Sequence, residues 1–307
     1  MVKLYITYGC PRSGKTTWAK ELRDSNPNKV VRVNKDDLRA MMHSPVHDRD
    51  QEKLTISIRD KIIENALRKG KDVIVDDTNF PFGGMHYQRM LEIARLVGDV
   101  EVIEKFFDAD ITELIKRNKE SLDGKPVPEA VIYNMYNKYI KGTADKYQFK
   151  EVYFPKIEKI KYNPNLPDCV YLDIDGTISE MGDRSPYDWN KVYLDSCNEN
   201  IGYITRIIRT YNEIAYRKIK VFIFTGRDGS CLEMTEKWLD DCDIYYHDIF
   251  IRPAGNTEKD SIIKERIYKE YIEGKYNLLF GVDDRNSVVN NFRSLGLTIL
   301  QCNNGDF

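Results

Sequence analysis

The sequence predicts an α/β protein of two domains, each a mainly parallel sheet flanked by helices. Its 307 residues are enough for two compact cores. In both halves, short β-type runs alternate with amphipathic helical stretches. Residues 161–167, with two prolines and two asparagines, separate the two series. We therefore expect a first domain over residues 1–150, a linker over 151–166 and a second domain over 167–307.

The first half is predicted to begin with a strand over residues 3–8, a glycine-rich turn and a helix over 15–22. Its later elements are strands at Val30–Val33, Asp72–Val75 and Glu101–Phe107 and helices at Leu54–Leu67 and Met85–Val97. In the second half, strands are predicted at Cys169–Ile174, Val221–Phe224, Asp248–Ile251 and Leu278–Val282, with helices at Ile201–Tyr216, Leu232–Leu239 and Asp260–Tyr271. Strands that alternate with helices favour parallel pairing.

Composition predicts a folded protein that is neither exported nor embedded in a membrane. Hydrophobic residues make up 41% and charged residues 31%, which is typical of globular proteins. The six cysteines form no C-x-x-C pair and no zinc-ligand spacing with histidine, so reduced thiols in a cytoplasm fit best. No apolar run approaches the roughly 20 residues that span a bilayer.

The net charge of −2 conceals a difference between the halves. Residues 1–150 carry 27 Lys and Arg against 23 Asp and Glu, whereas residues 151–307 carry 20 against 26. One interpretation is that a polyanionic substrate prefers the first half and that metal-binding carboxylates enrich the second. Random drift of surface charge is an equally good interpretation.

A phosphate-binding motif follows the first predicted strand. Residues 9–16, GCPRSGKT, match G-x-x-x-x-G-K-[ST] between a strand and a helix. In such a loop, backbone amides surround the β-phosphate, Lys15 reaches the β and γ oxygens, and Thr16 offers its hydroxyl to Mg²⁺. The motif predicts binding of a nucleoside triphosphate.

Two further groups lie at the ends of the next strands, where a parallel sheet faces its ligand. In residues 34–39, NKDDLR, an aspartate is placed to accept a hydroxyl proton and Arg39 to hold a phosphate. Residues 76–79, DDTN, place carboxylates where they hold Mg²⁺ through water or orient the acceptor. Helix caps and a surface arginine are the competing interpretation.

These three segments, GCPxSGKTTWA, NxDDLR and DDTN, resemble the polynucleotide kinase-phosphatases of the T-even bacteriophage type in order and spacing. The resemblance implies Asp36 as the general base, Arg39 as the ligand of the acceptor's phosphate, and Asp77 with Thr78 as acceptor-binding residues. It implies Lys15 as a catalytic residue and ATP with Mg²⁺ as the bound groups. The implied ATP-binding residues are Gly9, Ser13, Gly14, Lys15, Thr16, Thr17 and Arg117.

The predicted lid departs from that family. The family has an arginine on the leaving phosphate just after a K-R-N segment, and this chain has none there. Arg117 or Lys125 is the candidate substitute, although a lysine lacks the bidentate fork of an arginine.

The second half has an acidic centre at residues 173–177, DIDGT, after a predicted strand. Two carboxylates separated by one residue suit a nucleophile and an acid–base partner in phosphate transfer. Three companions follow along the chain: a strand that ends in Thr225-Gly226-Arg227, a helix with Lys264, and a strand that ends in Asp283-Asp284. Strand-end carboxylates of this kind suit Mg²⁺.

This set resembles the haloacid-dehalogenase superfamily of phosphatases, and more closely the phosphatase module of the same phage-type enzymes. The resemblance implies Asp173 as the nucleophile, Asp175 as the acid–base residue and Lys264 as a catalytic residue. It places Asp173, Asp175, Asp283 and Asp284 at the phosphatase metal, in addition to Thr16, which the phosphate-binding motif places at the kinase metal. The implied substrate-binding residues are Arg184, Thr225, Gly226, Arg227, Arg252 and Asp260.

The combined resemblance implies an end-healing enzyme that phosphorylates 5′-hydroxyl ends of RNA or DNA and removes 3′-phosphates. It also implies action on 2′,3′-cyclic phosphates and on cleaved tRNA, a functional link to an RNA ligase, a homotetramer, and host cytoplasm if the protein is phage-encoded. Two alternatives remain open: a small-molecule kinase fused to a small-molecule phosphatase, and a non-catalytic nucleotide or nucleic-acid sensor.

Overall fold

The computed structural model describes residues 1–43, 48–121, 126–142, 146–185 and 187–305. It divides into two compact units, Met1–Ile157 and Glu158–Phe307. None of the described helices combines the length and the apolar character that crossing a bilayer requires. The six cysteines are free thiols.

The first unit is a five-stranded sheet in the order β2-β3-β1-β4-β5. The first four strands pair in parallel, and β5 runs antiparallel to β4. The strands are β1 Val2–Tyr8, β2 Val30–Val33, β3 Asp72–Val75, β4 Val100–Phe106 and β5 Glu151–Phe154. The helices are α1 Lys15–Ser25, α2 Lys35–Met42, α3 Arg49–Arg68, α4 Met85–Val97, α5 Ile111–Lys119 and α6 Glu129–Met135, which continues as a π-helical turn, Tyr136–Ile140.

The second unit holds a five-stranded parallel sheet in the order β10-β9-β6-β11-β12, beside a small antiparallel pair, β7 and β8. The strands are β6 Asp168–Leu172, β7 Ser179–Glu180, β8 Ser196–Cys197, β9 Ile219–Asp228, β10 Asp248–Arg252, β11 Asn277–Arg285 and β12 Ile299–Gly305. The helices are α7 Glu199–Ile214, α8 Leu232–Asp241, α9 Asp260–Ile267 and α10 Asn286–Ser294. The predicted class, two mainly parallel sheets flanked by helices, is confirmed.

Apolar central strands build both cores. Every residue of β3 and of β6 is buried, as expected for strands covered by helices on both faces. Because the strands are parallel, their carboxyl ends meet at one edge of each sheet. The motif residues that follow β1, β2 and β3 therefore converge in the first unit, and those of β6, β9 and β11 converge in the second.

The predicted linker is wrong at its start. Residues Glu151–Phe154 form β5 and pair with Val100–Ile103 of β4, so they belong to the first sheet. Residues from Glu158 onward belong to the second unit, where the Asn163 amide donates to the Asn277 side chain at 2.8 Å. The strand was not predicted because its short alternating pattern also fits an amphipathic segment. Only its pairing with β4 identifies it as a strand.

Candidate active sites

The phosphate loop lies between β1 and α1, at the edge of a cavity of about 560 Å³. Gly9 has a φ of 154°, and a Cβ there would lie 2.9 Å from the Phe107 carbonyl oxygen, so only glycine fits. The cavity is lined by Arg12, Gly14, Lys15, Thr16, Thr17, Trp18, Glu21 and Arg117. Most of the predicted ATP-binding residues therefore surround one cavity, and Gly9 and Ser13 shape the loop beneath it.

Lys15 folds over its own loop. Its ammonium donates to the Gly9 and Cys10 carbonyl oxygens at 2.9 and 2.8 Å and lies 3.4 Å from Ser13 Oγ. Burial lowers the pKa of Lys15 to about 8, and the nearby Asp76 carboxylate partly opposes that shift. The loop therefore holds a cation at the cavity floor, and no carboxylate of the described residues forms an ion pair with it.

Thr16 faces an acidic partner, as a hydroxyl ligand of a metal should. Its Oγ1 donates to Asp76 Oδ1 at 3.2 Å, and Arg32 Nε donates to Asp76 Oδ2 at 2.7 Å. Asp76 reaches Thr16 because β3 lies next to β1 in the sheet. Sequence analysis gave Asp76 no role separate from that of Asp77, and the contacts in the fold distinguish them: Asp76 contacts Thr16, whereas Asp77 accepts from the Lys35 amide.

The candidate acceptor residues lie around the start of α2. Asn34 caps this helix by accepting from the Asp37 amide at 3.0 Å, which sets Asp36 and Arg39 on its first turns. Asp36 is 84% exposed and pairs with Arg39. Asp77 is buried, its Oδ1 accepts from the Lys35 amide at 2.9 Å, and burial raises its pKa. Thr78 follows it, partly buried.

Glu52 joins this group although sequence analysis did not single it out. It accepts from Arg39 Nε and Nη2 at 2.7 and 2.8 Å and from Lys35 Nζ at 3.3 Å. It lies in the first turn of α3, where an acidic residue is ordinary. No local pattern distinguishes it from such a residue.

Two arginines stand at the cavity where the lid arginine was expected. Arg117 lines it, pairs with Glu113 at 2.7 Å and donates to the Arg12 carbonyl oxygen at 3.3 Å. Arg12, which also lines the cavity, donates from Nε to Asn118 at 3.1 Å. Lys125, the other candidate substitute, lies outside the described residues.

In the second unit, three buried carboxylates meet at the strand ends. Each of Asp173, Asp283 and Asp284 offers an oxygen, and these oxygens all lie within 4.8 Å of one another. Carboxylate oxygens in this number suit a hard divalent cation such as Mg²⁺. The residues therefore fit the metal that the resemblance implies.

Lys264 neutralises part of this cluster from α9. It is fully buried, and its ammonium donates to Asp173 Oδ1 at 2.6 Å and Asp283 Oδ2 at 2.8 Å, and lies 3.2 Å from Asp260 Oδ2. Burial, the largest influence, lowers its pKa, but the three carboxylates outweigh it and the net shift is upward. Lys264 therefore stays charged and leaves the cluster with an excess of carboxylates.

The Asp175 carboxylate is not one of the three that form this cluster, and the place predicted for Asp175 at the metal stays a prediction. Arg227 Nε and Nη2 donate to it at 3.0 and 2.9 Å, and Arg184 Nη2 donates at 3.0 Å. The physical reason is that the chain turns after Asp173, which carries Asp175 toward the two arginines. The acid–base role predicted for Asp175 is compatible with this position beside the nucleophile.

Asp195 contacts both arginines, and no sequence pattern had identified it as a site residue. It is buried, and it accepts from Arg184 Nε and Nη2 at 2.6 Å and from Arg227 Nη2 at 2.7 Å. It lies outside every motif, just before β8, so only the folded chain brings it here. Two positive side chains are thereby fixed around Asp175.

The remaining predicted substrate residues shape a cavity of about 500 Å³ that contains Asp173 and Asp175. Thr225 Oγ1 accepts from the Arg227 amide at 3.1 Å, and Arg252 Nε donates to the Gly226 carbonyl oxygen at 2.8 Å. The cavity is also lined by Gly226, Arg252, Asp260, Arg285, Tyr187 and Trp189. Tyr187, which is 81% exposed, places an aromatic ring beside the polar side chains of this cavity.

Fold and sites together define a protein with a P-loop nucleotide-binding domain followed by a haloacid-dehalogenase-type phosphatase domain. Residues 167–307 match the family described as the polynucleotide kinase PNKP phosphatase domain, and residues 4–139 match the AAA domain family. Together the two matches cover most of the chain and support a polynucleotide kinase-phosphatase. Domains of these two kinds use nucleotides and, typically, divalent metals.

The chain is also similar to named relatives. It is 26% identical, over 95% of its length, to a putative bifunctional polynucleotide kinase/RNA ligase of Autographa californica nuclear polyhedrosis virus, and it spans 41% of that relative. It is 25% identical to an L-seryl-tRNA(Sec) kinase of Methanococcus maripaludis, over 88% of this chain and 97% of the relative. A solved Pnkp1/Rnl/Hen1 RNA repair complex contains a chain 28% identical to it, with a TM-score of 0.49 and coverage of 100% and 97%.

Proposed function

We propose that this chain heals nucleic-acid ends: its first unit transfers the γ-phosphate of ATP to a 5′-hydroxyl, and its second hydrolyses a 3′-phosphate. The family matches of the two halves and two separate cavities, one at the phosphate loop and one at the carboxylate cluster, support the proposal. The observation that carries it is the pairing of a complete phosphate loop with a carboxylate cluster that contains a nucleophile candidate, Asp173.

In the first unit, the acceptor's 5′-oxygen attacks the γ-phosphorus and its proton passes to Asp36, while ADP leaves. Lys15 and the loop amides hold the β and γ oxygens, and Arg12 and Arg117 stand near the leaving phosphate. Mg²⁺, held by Thr16 and through water by Asp76, would offset charge on these oxygens. Arg39 binds the phosphate on the 3′ side of the acceptor nucleotide, and Asp77 with Thr78 orients the acceptor.

In the second unit, an Asp173 oxygen attacks phosphorus, and the 3′-oxygen leaves with a proton from Asp175. Asp175 then takes a proton from water, whose oxygen attacks the phospho-Asp173, releasing inorganic phosphate and regenerating the carboxylate. Mg²⁺ at Asp173, Asp283 and Asp284 would offset the phosphate charge during both steps. Arg184 and Arg227 orient Asp175, and Thr225, Gly226 and Arg252 contact the phosphate.

The reaction products are ends that a ligase can join. A relative whose name includes RNA ligase, and one whose name includes tRNA, support RNA as a substrate and an RNA ligase as a functional partner. We include 2′,3′-cyclic phosphates, DNA ends and a homotetrameric assembly in the proposal, because the phage-type resemblance implies them.

A substrate comparison separates polynucleotide ends from small molecules. The exposed Tyr187 and the nearby Trp189, whose ring centroids lie 6.3 Å apart, give the second cavity surfaces on which a base stacks. We expect both units to prefer nucleotides or oligomers: the kinase a 3′-phosphorylated acceptor over a free nucleoside, and the phosphatase a 3′-phosphorylated oligomer over p-nitrophenyl phosphate. Equal kcat/KM for the members of each pair would favour the small-molecule alternative. ATP binding without turnover of any substrate would favour the sensor.

A further inference from the structure

Glu52 makes a side-on, two-point contact with Arg39. Its two carboxylate oxygens accept from Arg39 Nε and Nη2 at 2.7 and 2.8 Å, a geometry that fixes the plane of the guanidinium as well as its position. The side chains are only 20% and 31% exposed. A paired, partly buried contact of this kind orders a side chain that is otherwise flexible.

The contact uses one edge of the guanidinium and leaves the other toward the acceptor residues. Glu52 occupies the edge formed by Nε and Nη2, whereas Nη1 points to Asp36. A guanidinium has five N–H donors, of which Glu52 takes two and Asp36 takes one, so one N–H group on Nη1 and one on Nη2 stay able to bind a phosphate. Glu52 and a phosphate can therefore bind Arg39 together.

We propose that Glu52 is a positioning residue that holds Arg39 for the phosphate on the 3′ side of the acceptor nucleotide. The proposal rests on the proposed kinase function of this site. Arg39 gives the kinase its preference for a 3′-phosphorylated acceptor. It does so only while Glu52 holds the guanidinium in place.

A second cation ties Glu52 to the other acceptor residue. Lys35 Nζ lies 3.3 Å from Glu52 Oε1, and the Lys35 backbone amide donates to Asp77 at 2.9 Å. Arg39, the largest influence, lowers the pKa of Glu52 to about 2, so Glu52 is an anion at any working pH. It holds both cations without taking part in proton transfer.

The test measures kinase kinetics of Glu52→Gln and Glu52→Ala in an Asp173→Asn parent, so that the phosphatase does not remove the acceptor's 3′-phosphate. The acceptors are a 3′-phosphorylated nucleotide and the same nucleoside without that phosphate. We expect acceptor KM for the 3′-phosphorylated substrate to rise about tenfold, the cost of ordering one long side chain on binding. The nucleoside KM, kcat and the ATP KM change little, and an unchanged ATP KM shows that the first unit remains folded.

Glu64→Gln is the matched control, because Glu64 lies on the same helix and pairs with Arg68 at 3.0 Å on the surface. An Arg39→Ala variant should lose the acceptor preference by itself, and Glu52→Ala should add nothing to it. Three outcomes would overturn the inference: an unchanged preference in both Glu52 variants, a tighter acceptor KM, or additive effects with Arg39→Ala. An Asp173→Asn parent that phosphorylates neither acceptor would overturn the proposed kinase as well.

Discussion

At the scale of single residues, each centre depends on one buried lysine in an opposite setting. Lys15 is surrounded by loop carbonyl oxygens, and burial lowers its pKa to about 8. Lys264 is surrounded by Asp173, Asp260 and Asp283, which raise its pKa. The first lysine is thus prepared for an incoming anion, whereas the second stabilises anions that are already there.

Lys15 makes nucleotide affinity depend on pH. Below about pH 8 its side chain is protonated and attracts the triphosphate; as pH rises through about 8 it loses its proton in the free protein, so affinity should fall. Isothermal titration of ATP and Mg²⁺ between pH 7 and pH 9.5 measures the effect. Lys15→Met should bind weakly at every pH, and a wild-type affinity that is constant over this range would contradict the assignment.

At the scale of elements, most of the site residues that could be predicted from the sequence lie at the ends of strands. Local patterns mark both a strand and the residues that follow it. This made it possible to predict the motifs that follow β1, β2 and β3 in the first unit and β6, β9 and β11 in the second. Glu52 and Asp195 could not be predicted, because each contacts its cationic partners only after separate elements of the chain pack together. β5 was missed for the same reason, since a short edge strand is defined by its partner β4.

The end of β9 allows a test of close packing at the phosphatase site. A Cβ at Gly226 would collide with the Asp260 carboxylate, which lies 3.2 Å from the Lys264 ammonium. Gly226→Ala should therefore displace Asp260 and lower 3′-phosphatase kcat/KM by about tenfold, because overpacking at a tight contact costs roughly 1–3 kcal/mol. Kinase activity should not change. Gly182→Ala is the control, because a Cβ there meets nothing within 4 Å; equal activity of the two variants would refute the packing argument.

At the scale of the whole molecule, the two centres are built from different stretches of chain. The phosphate loop and acceptor residues lie within Met1–Ile157, and the carboxylate cluster lies within Glu158–Phe307. No residue is shared between them. We therefore predict two activities that point mutations separate.

The most direct measurement uses RNA and DNA oligomers with labelled ends to follow both reactions in Asp36→Asn and Asp173→Asn. Asp36→Asn should lower 5′-phosphorylation by about 100-fold or more, because a general base contributes roughly 10²–10⁴, and leave 3′-dephosphorylation unchanged. Asp173→Asn should abolish 3′-dephosphorylation and leave 5′-phosphorylation unchanged. Loss of both activities in either variant, with a thermal unfolding profile like that of the wild type, would contradict the account.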